Sequence, residues 1–344
     1  MAIDLVVTAR TLVQVGRGIL AADETPGTIG KRFEALGIPS TAQTRCAYRE
    51  LLVTAPGLQE VISGVILQDE TFRLVTSSGL PFPQAVNQGG MLPGIKVDTG
   101  AKPLAKAPGE KVTEGLDGLR ERIAEYVELG ARFAKWRAVI TIGDGIPTRA
   151  CIAANAHALA RYAALCQEGG LVPIVEPEVL MDGGHSLETC FAVTVTTWRA
   201  VFAELVEQGV SLEAMVLKPS MILPGKQHSA QATIDEVALS TVRGLRQTVP
   251  AAVPGIAFLS GGQSPQLATR HLQAISAVGP QPWQLTFSYG RALQDEALSA
   301  WKGEARNVGQ AQAALLHRTR RVAAARSGAY SPAMEAGDAS DSQR

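Results

Sequence analysis

Eight short apolar runs recur along the chain, and most of them turn polar at their C-terminal end. They cover residues 18–24, 61–67, 91–98, 131–140, 171–180, 213–218, 255–262 and 283–290. Each is four to eight or so apolar positions bounded by Gly, Pro or charge, the pattern of a buried strand in a parallel sheet. Pro93 and Gly94 inside the third run predict a short or irregular strand there. Helical spacing fills the gaps: a segment opening at Lys31-Arg32-Phe33, then 114–129, 147–167, 187–207, 233–248 and one long polar helix over 293–327. The first residues read as an additional N-terminal helix.

Eight apolar runs separated by helical patterns predict an α/β chain folded as a (β/α)8 TIM barrel. A doubly wound sheet competes, but no GxGxxG follows the first strand. No internal repeat or linker divides the chain, so residues 1–327 are expected to form one barrel domain. Residues 328–344, rich in Gly, Ser, Ala and Asp, are expected to be a flexible C-terminal tail.

Composition narrows the function classes. Thirty-two basic and 32 acidic residues cancel, so no net field favours nucleic acid or an anionic membrane. Cys46, Cys151, Cys166 and Cys190 form no CxxC pair, which suits a reduced, intracellular protein. The N-terminus carries an early Asp4 and no apolar core of signal-peptide type, and no run reaches membrane-spanning length. A soluble, cytoplasmic protein without nucleic-acid or membrane partners is the expectation.

The polar residues then become informative. Asp23, Glu24, Lys96, Lys135, Arg137, Glu176, Glu178, Lys218, Ser260 and Arg291 all fall late in a strand or just beyond it. In a barrel those ends converge on the face where catalysis takes place. Lys135 and Arg137 share one side of their strand by the two-residue period, as do Glu176 and Glu178. Lys218 ends the run Met215-Val216-Leu217 and is followed at once by Pro219. Its stem is therefore buried, and burial favours the neutral amine that can attack a carbonyl. Lys135, as a neighbouring cation, would reinforce that. Glu176 is placed to shuttle protons during iminium formation, and Asp23 to take the hydroxyl proton in carbon–carbon cleavage. Simple ion pairing of these acids with Lys135 and Arg137 is the structural alternative.

Ser260-Gly261-Gly262-Gln263-Ser264 follows the seventh strand, and Ser288-Tyr289-Gly290-Arg291 closes the eighth. Glycines that let backbone N–H groups approach oxygens, together with an arginine, make a phosphate site, at the position where barrels usually keep one. His157, His185, His228, His271 and His317 are scattered with no ligand spacing, so neither a metal nor another cofactor is expected.

Seven segments in consistent order, between about residues 14 and 326, carry a resemblance. They are Gly18-Ile19-Leu20-Ala21-Ala22-Asp23-Glu24, Gly94-Ile95-Lys96-Val97-Asp98, Phe133-Ala134-Lys135-Trp136-Arg137, Ile174-Val175-Glu176-Pro177-Glu178, Leu217-Lys218-Pro219, Phe258-Leu259-Ser260-Gly261-Gly262-Gln263-Ser264 and Leu285-Thr286-Phe287-Ser288-Tyr289-Gly290-Arg291-Ala292-Leu293. Together they resemble class I fructose-bisphosphate aldolase. The resemblance implies reversible cleavage of fructose 1,6-bisphosphate to dihydroxyacetone phosphate and glyceraldehyde 3-phosphate through a lysine Schiff base. It also implies a metal-free lyase of glycolysis and gluconeogenesis, assembled as a homotetramer.

Position by position, the family's Schiff-base lysine falls on Lys218, its proton-transferring glutamate on Glu176 and its cleavage aspartate on Asp23. The lysine beside the imine falls on Lys135, and a supporting acid on Glu178. The C1-phosphate site falls on Ser260, Gly261, Gly262, Ser288, Gly290 and Arg291. Lys96 and Arg137 fall on the C6 end, and Arg32 on a further substrate-binding arginine.

Two positions depart from the family. Many members end in a tyrosine that assists proton exchange, whereas this chain ends Ser342-Gln343-Arg344 with Tyr330 as its last tyrosine, for which a structural role is expected. Thr25 and Pro26 stand where relatives carry serine and threonine. Two rival functions remain. A Schiff-base aldolase for another phosphosugar, such as sedoheptulose 1,7-bisphosphate, would share every residue above. A barrel turned non-catalytic scaffold would have lost Lys218, Glu176 or Asp23, and all three are present.

Overall fold

The computed structural model describes residues 4–335. All eight predicted strands form, as β1 (Gly18–Ala22), β2 (Ile62–Leu67), β3 (Leu92–Lys96), β4 (Phe133–Ile140), β5 (Val172–Val179), β6 (Val216–Leu217), β7 (Gly255–Phe258) and β8 (Gln284–Tyr289). They pair in parallel in chain order, and β8 closes on β1. The helices are α1 (Leu5–Leu12), α2 (Pro26–Glu34), α3 (Ala42–Val53), α4 (Asp69–Phe72), α5 (Phe82–Gln88), α6 (Leu119–Glu128), α7 (Arg149–Glu168), α8 (Leu187–Glu207), α9 (Ile234–Thr248), α10 (Pro265–Ala277), α11 (Arg291–Trp301) and α12 (Val308–Arg326). The fold is a (β/α)8 barrel.

Two buried cores explain why the strand runs read as continuously apolar. One set of side chains faces outward to the helices. A smaller set, including Ile19, Ile66, Phe133, Val172, Ile174, Val216 and Ala257, fills the barrel interior. Ala9 and Leu12 of α1 and the adjoining Val13 join that inner cluster, so the N-terminal helix plugs one end of the barrel. The opposite end, where the strands finish, is left to polar side chains.

Four details differ from the sequence expectation. The polar helix expected over 293–327 is two helices, α11 and α12. The break comes at Lys302 and Gly303, both with left-handed φ, 53° and 77°, which end α11 as helix C-termini commonly end. A two-stranded antiparallel hairpin, Gly100–Pro103 with Lys111–Glu114, stands beside the open end of the barrel and was not foreseen. Its strands carry no run of apolar alternation; it is held instead by polar bonds, Thr113 Oγ1 to the Arg137 carbonyl at 2.8 Å and Asn155 Nδ2 to the Lys111 carbonyl at 2.8 Å.

The third is α8, which has the length and apolar composition to cross a membrane, contrary to the expectation that no segment reaches that length. It is a barrel helix, lying against α7 and α9, with Cys190, Val195, Trp198, Val201, Phe202 and Leu205 buried. An apolar stripe that wide is what a helix packed against both the sheet and its neighbours requires.

Where a mobile tail was expected from residue 328, the chain first docks against the barrel. Tyr330 is buried, with its N–H bonded to Gln273 Oε1 at 3.3 Å and its hydroxyl to Glu335 Oε1 at 2.8 Å. Glu335 in turn pairs with Arg318 at 2.8 Å and Arg321 at 3.0 Å. The remainder of the expected tail, 336–344, lies outside the described residues.

Candidate active site

A cavity of about 500 Å3 opens at the C-terminal ends of the strands. All fourteen residues singled out from the sequence line it: Asp23, Arg32, Lys96, Lys135, Arg137, Glu176, Glu178, Lys218, Ser260, Gly261, Gly262, Ser288, Gly290 and Arg291. Separated by up to 268 positions in sequence, they are brought together by barrel closure alone.

At the floor, three buried charges and the part-buried Asp23 form a chain. Lys218 sits one residue beyond β6, its N–H bonded to the Val175 carbonyl at 2.8 Å, and the Pro219 carbonyl after it accepts the Leu259 N–H at 3.0 Å. Its Nζ lies 3.2 Å from Glu176 Oε1. The other Glu176 oxygen lies 3.3 Å from Lys135 Nζ, and Lys135 reaches Asp23 Oδ2 at 2.6 Å. Lys218, Lys135 and Glu176 are each only 3% exposed. Ammonium groups this deep persist only when paired.

The mutual fields decide the protonation states. Burial alone would raise the Asp23 carboxyl, but Lys135 and Lys218, with the Lys135 hydrogen bond, hold it well below the ordinary range. Glu176 is likewise pushed up by burial and brought below its usual value by Lys135, Lys218 and Arg137. Burial works against the charge on Lys135, yet Asp23, Glu176 and Asp98 raise it well above the usual lysine value. At neutral pH the floor therefore holds two carboxylates in proton-accepting form around a fixed cation.

On one side of the floor, Lys96 Nζ bonds Asp98 Oδ1 at 2.6 Å, and Arg137 Nε bonds Glu178 Oε2 at 2.5 Å. Asp98 also accepts the N–H groups of Gly100 and Arg137, tying the hairpin to β4. Next to these, α2 starts at Pro26, capped by the Thr25 hydroxyl, so that its N-terminus and the Thr25 and Thr28 hydroxyls border the cavity. Arg32 lines the cavity too, but its guanidinium is already engaged. It bonds Glu24 at 2.6 Å, Asp295 at 2.9 Å and Gln294 at 3.2 Å. Glu24 is clamped from its other side by the buried Arg49 at 2.8 Å.

On the opposite side, Gly261 and Gly262 both take left-handed φ, 58° and 82°, a turn open to glycine at no cost. Successive N–H groups in such a turn point the same way and make an anion-binding concavity. The Ser288 hydroxyl is buried at the same wall with no hydrogen-bond partner among the described residues. Gly290 caps α11, so that helix also directs its N-terminus here, led by Arg291.

Sequence reasoning did not assign Asp98, Lys226 or Asp182, which also line the cavity. Asp98 stands two residues after Lys96 and so shares its face of the chain, a signal that was available. Lys226 lies in a loop with no regular pattern.

Comparison with known proteins follows this geometry. A family model described as fructose-bisphosphate aldolase class-I matches residues 4–344. A Xylella fastidiosa protein named probable fructose-bisphosphate aldolase class 1 is 56% identical over 314 residues, covering 91% of this chain and 94% of its own. A Cicer arietinum protein named fructose-bisphosphate aldolase, cytoplasmic isozyme, is 49% identical over 329 residues, 95% of this chain and 91% of its own. The solved structure of Plasmodium falciparum fructose-bisphosphate aldolase, in complex with TRAP and a small-molecule inhibitor, superimposes with a TM-score of 0.94 at 48% identity, covering 95% of each chain.

Proposed function

The chain belongs to the class I fructose-bisphosphate aldolase family, and on that premise we propose how its residues carry out the reaction. The protein is a metal-independent lyase that reversibly cleaves fructose 1,6-bisphosphate to dihydroxyacetone phosphate and glyceraldehyde 3-phosphate. The observation that carries the residue roles is the buried chain Lys218–Glu176–Lys135–Asp23, with contacts of 3.2, 3.3 and 2.6 Å.

Lys218 is the nucleophile. Its amine adds to the substrate ketone, and the carbinolamine loses water to leave an iminium, a strong electron sink next to the bond to be broken. Glu176, within hydrogen-bond reach of Lys218, accepts and returns the protons of that addition and dehydration. Asp23, kept ionised beside Lys135, takes the hydroxyl proton as the carbon–carbon bond breaks and the electron pair flows into the iminium. Lys135 keeps both carboxylates charged. Glu178 supports the site by holding Arg137 in place.

The substrate's two phosphates lie at opposite sides of this floor. Ser260, Gly261, Gly262, Ser288, Gly290 and Arg291 hold the C1 phosphate, and the left-handed glycine pair and the α11 N-terminus support that reading. Lys96, Arg137 and Arg32 serve the C6 end. Arg32 can exchange half-exposed Asp295 for phosphate while keeping Glu24. Family membership supports a homotetramer as the assembled form, which sedimentation velocity measures. The cytoplasmic name of the Cicer arietinum relative supports a cytoplasmic location.

The test is turnover by the purified protein in the presence of EDTA, comparing fructose 1,6-bisphosphate with sedoheptulose 1,7-bisphosphate. The proposal expects fructose 1,6-bisphosphate to have the higher kcat/KM. A higher kcat/KM for the seven-carbon substrate would reassign the substrate, and no turnover of either would favour a scaffold.

A further inference from the structure

We propose that Lys226 is a further substrate-binding residue, a second cation for the C1 phosphate that pairs with Asp182 until substrate arrives. The proposal deepens the phosphate-site reading above and rests on it.

Three observations converge on this residue. The first is position. The Lys226 ammonium lies 3.1 Å from the point where Gly262 would carry a Cβ, and Arg291 Nη2 lies 3.4 Å from the same point. Two cations thus approach the glycine turn from different loops, one after β6 and one after β8, and both line the cavity. The second is an imbalance of charge. Arg291 makes no ion pair among the described residues, and Lys226 has the exposed Asp182 at 3.3 Å. Like charges repel, so two cations and one exposed carboxylate around the glycine turn leave net positive potential where a phosphate dianion would sit.

The third is support from the backbone. The loop carrying Lys226 is stitched to the loop after β5. The Gly225 N–H bonds the His185 carbonyl at 2.8 Å, the Lys226 N–H the Met181 carbonyl at 2.8 Å and the Gln227 N–H the Gly183 carbonyl at 3.0 Å. The Gln227 side chain accepts the Gly183 N–H at 2.6 Å, and His228 Nδ1 bonds the Gly184 carbonyl at 2.9 Å. The two backbones are so close at Gly225 that a Cβ there would lie 2.1 Å from the Gly183 carbonyl oxygen. A lysine on such a brace loses little backbone freedom on binding, whereas a lysine on a mobile loop would lose much of its advantage to ordering.

An ordinary surface lysine also pairs with a nearby acid, and such pairs contribute little. The difference here is the weak partner on one side and the unsatisfied anion site on the other. On binding, the ammonium exchanges exposed Asp182 for a phosphate that several fixed donors already hold.

The experiment uses dihydroxyacetone phosphate, which carries only the C1 phosphate, and glyceraldehyde 3-phosphate as the control for the other end. Their inhibition constants are measured against fructose 1,6-bisphosphate for wild type, Lys226→Met, Lys226→Arg, Asp182→Asn and Arg291→Ala. Loss of one charged hydrogen bond to phosphate predicts a dihydroxyacetone phosphate constant raised about tenfold or more in Lys226→Met. The glyceraldehyde 3-phosphate constant stays within twofold of wild type on the same reasoning, roughly the noise of one weak contact. Lys226→Arg restores binding, and Asp182→Asn, which releases the lysine, tightens it.

An unchanged constant in Lys226→Met, with Arg291→Ala raised, overturns the proposal and leaves the phosphate site standing. Unchanged constants in both variants of an active enzyme overturn the phosphate site itself. A rise equal for both ligands also overturns the proposal, because it would mean a general loss of structure.

Discussion

Lys135→Met removes the cation on which the floor of the site depends, and it reverses the direction in which stability changes with pH. In the intact protein the ammonium stands 2.6 Å from Asp23 and 3.3 Å from Glu176, so at an effective dielectric constant near 20 its attractions are about 6 and 5 kcal/mol. Most of that offsets the cost of burying three charges. The net loss expected from breaking one buried ion-pair partner is about 3–5 kcal/mol. Methionine fills nearly the same volume, so little of the loss is packing.

The pH dependence isolates the electrostatics. In wild type both carboxyls are held below their ordinary values of 3.8 and 4.5. The unfolded chain therefore takes up protons first as pH falls, and stability declines on the acid side, from about pH 5 downward. In Lys135→Met both groups lose their largest opposing influence and are expected to move upward under burial, the first influence on each. The folded state then holds a proton that the unfolded chain has released, so stability declines as pH rises. Urea unfolding at pH 4, 5 and 8 measures both slopes. The mutational penalty should be larger at pH 8 by about 1 kcal/mol or more, the equivalent of roughly one unit of pKa change. A penalty equal at pH 5 and pH 8, or under about 1 kcal/mol at both, would refute the claim that Lys135 holds these carboxylates ionised.

Three further outcomes follow from other parts of the molecule. Glu176→Gln keeps the shape of the floor but cannot carry a proton; kcat should fall about 10²- to 10⁴-fold in steady-state assays, with KM changed far less. His271 is buried, bonds Gln263 through Nδ1 at 2.6 Å and has its pKa lowered to about 4, first by burial and then by Arg270. The unfolded histidine therefore protonates near 6.5 while the folded one does not, so about 3 kcal/mol of stability is lost between pH 6.5 and 4, and His271→Leu should remove that component of the urea-unfolding profile. Tyr330→Phe loses a hydroxyl bond to Glu335 and should cost about 1 kcal/mol by thermal or urea unfolding. Its kcat should match wild type, because Tyr330 does not line the cavity.

Much of this was legible before any coordinates because a closed parallel barrel writes a simple pattern. Its strands are buried on both faces, so they appear as apolar runs, and only their C-terminal ends admit charge. Lys135, Arg137, Glu176 and Glu178 could be assigned to one side of their strands from the two-residue period, and all four do line the cavity. What stayed hidden depends on contacts that leave no periodic trace. The 100–114 hairpin is held by the Arg137 carbonyl of β4 and the Asn155 side chain of α7 and not by its own apolar pattern. The break between α11 and α12 rests on Lys302 and Gly303 adopting left-handed φ within a long amphipathic stretch. Arg32 could be placed at the site, but its clamp on Glu24 and Asp295 joins three separate segments and cannot be read locally. Lys226 was missed for the same reason: its significance comes from Gly262 and Arg291, distant in sequence.

The central claim, a covalent reaction through Lys218, is tested most directly by trapping. The protein is incubated with dihydroxyacetone phosphate, reduced with borohydride, and read by intact mass and peptide mapping. The account predicts one reduced adduct per chain, on the peptide containing Lys218, and none in Lys218→Ala. An adduct on Lys135 or another lysine, or no adduct from a folded protein that binds the ligand, would contradict it.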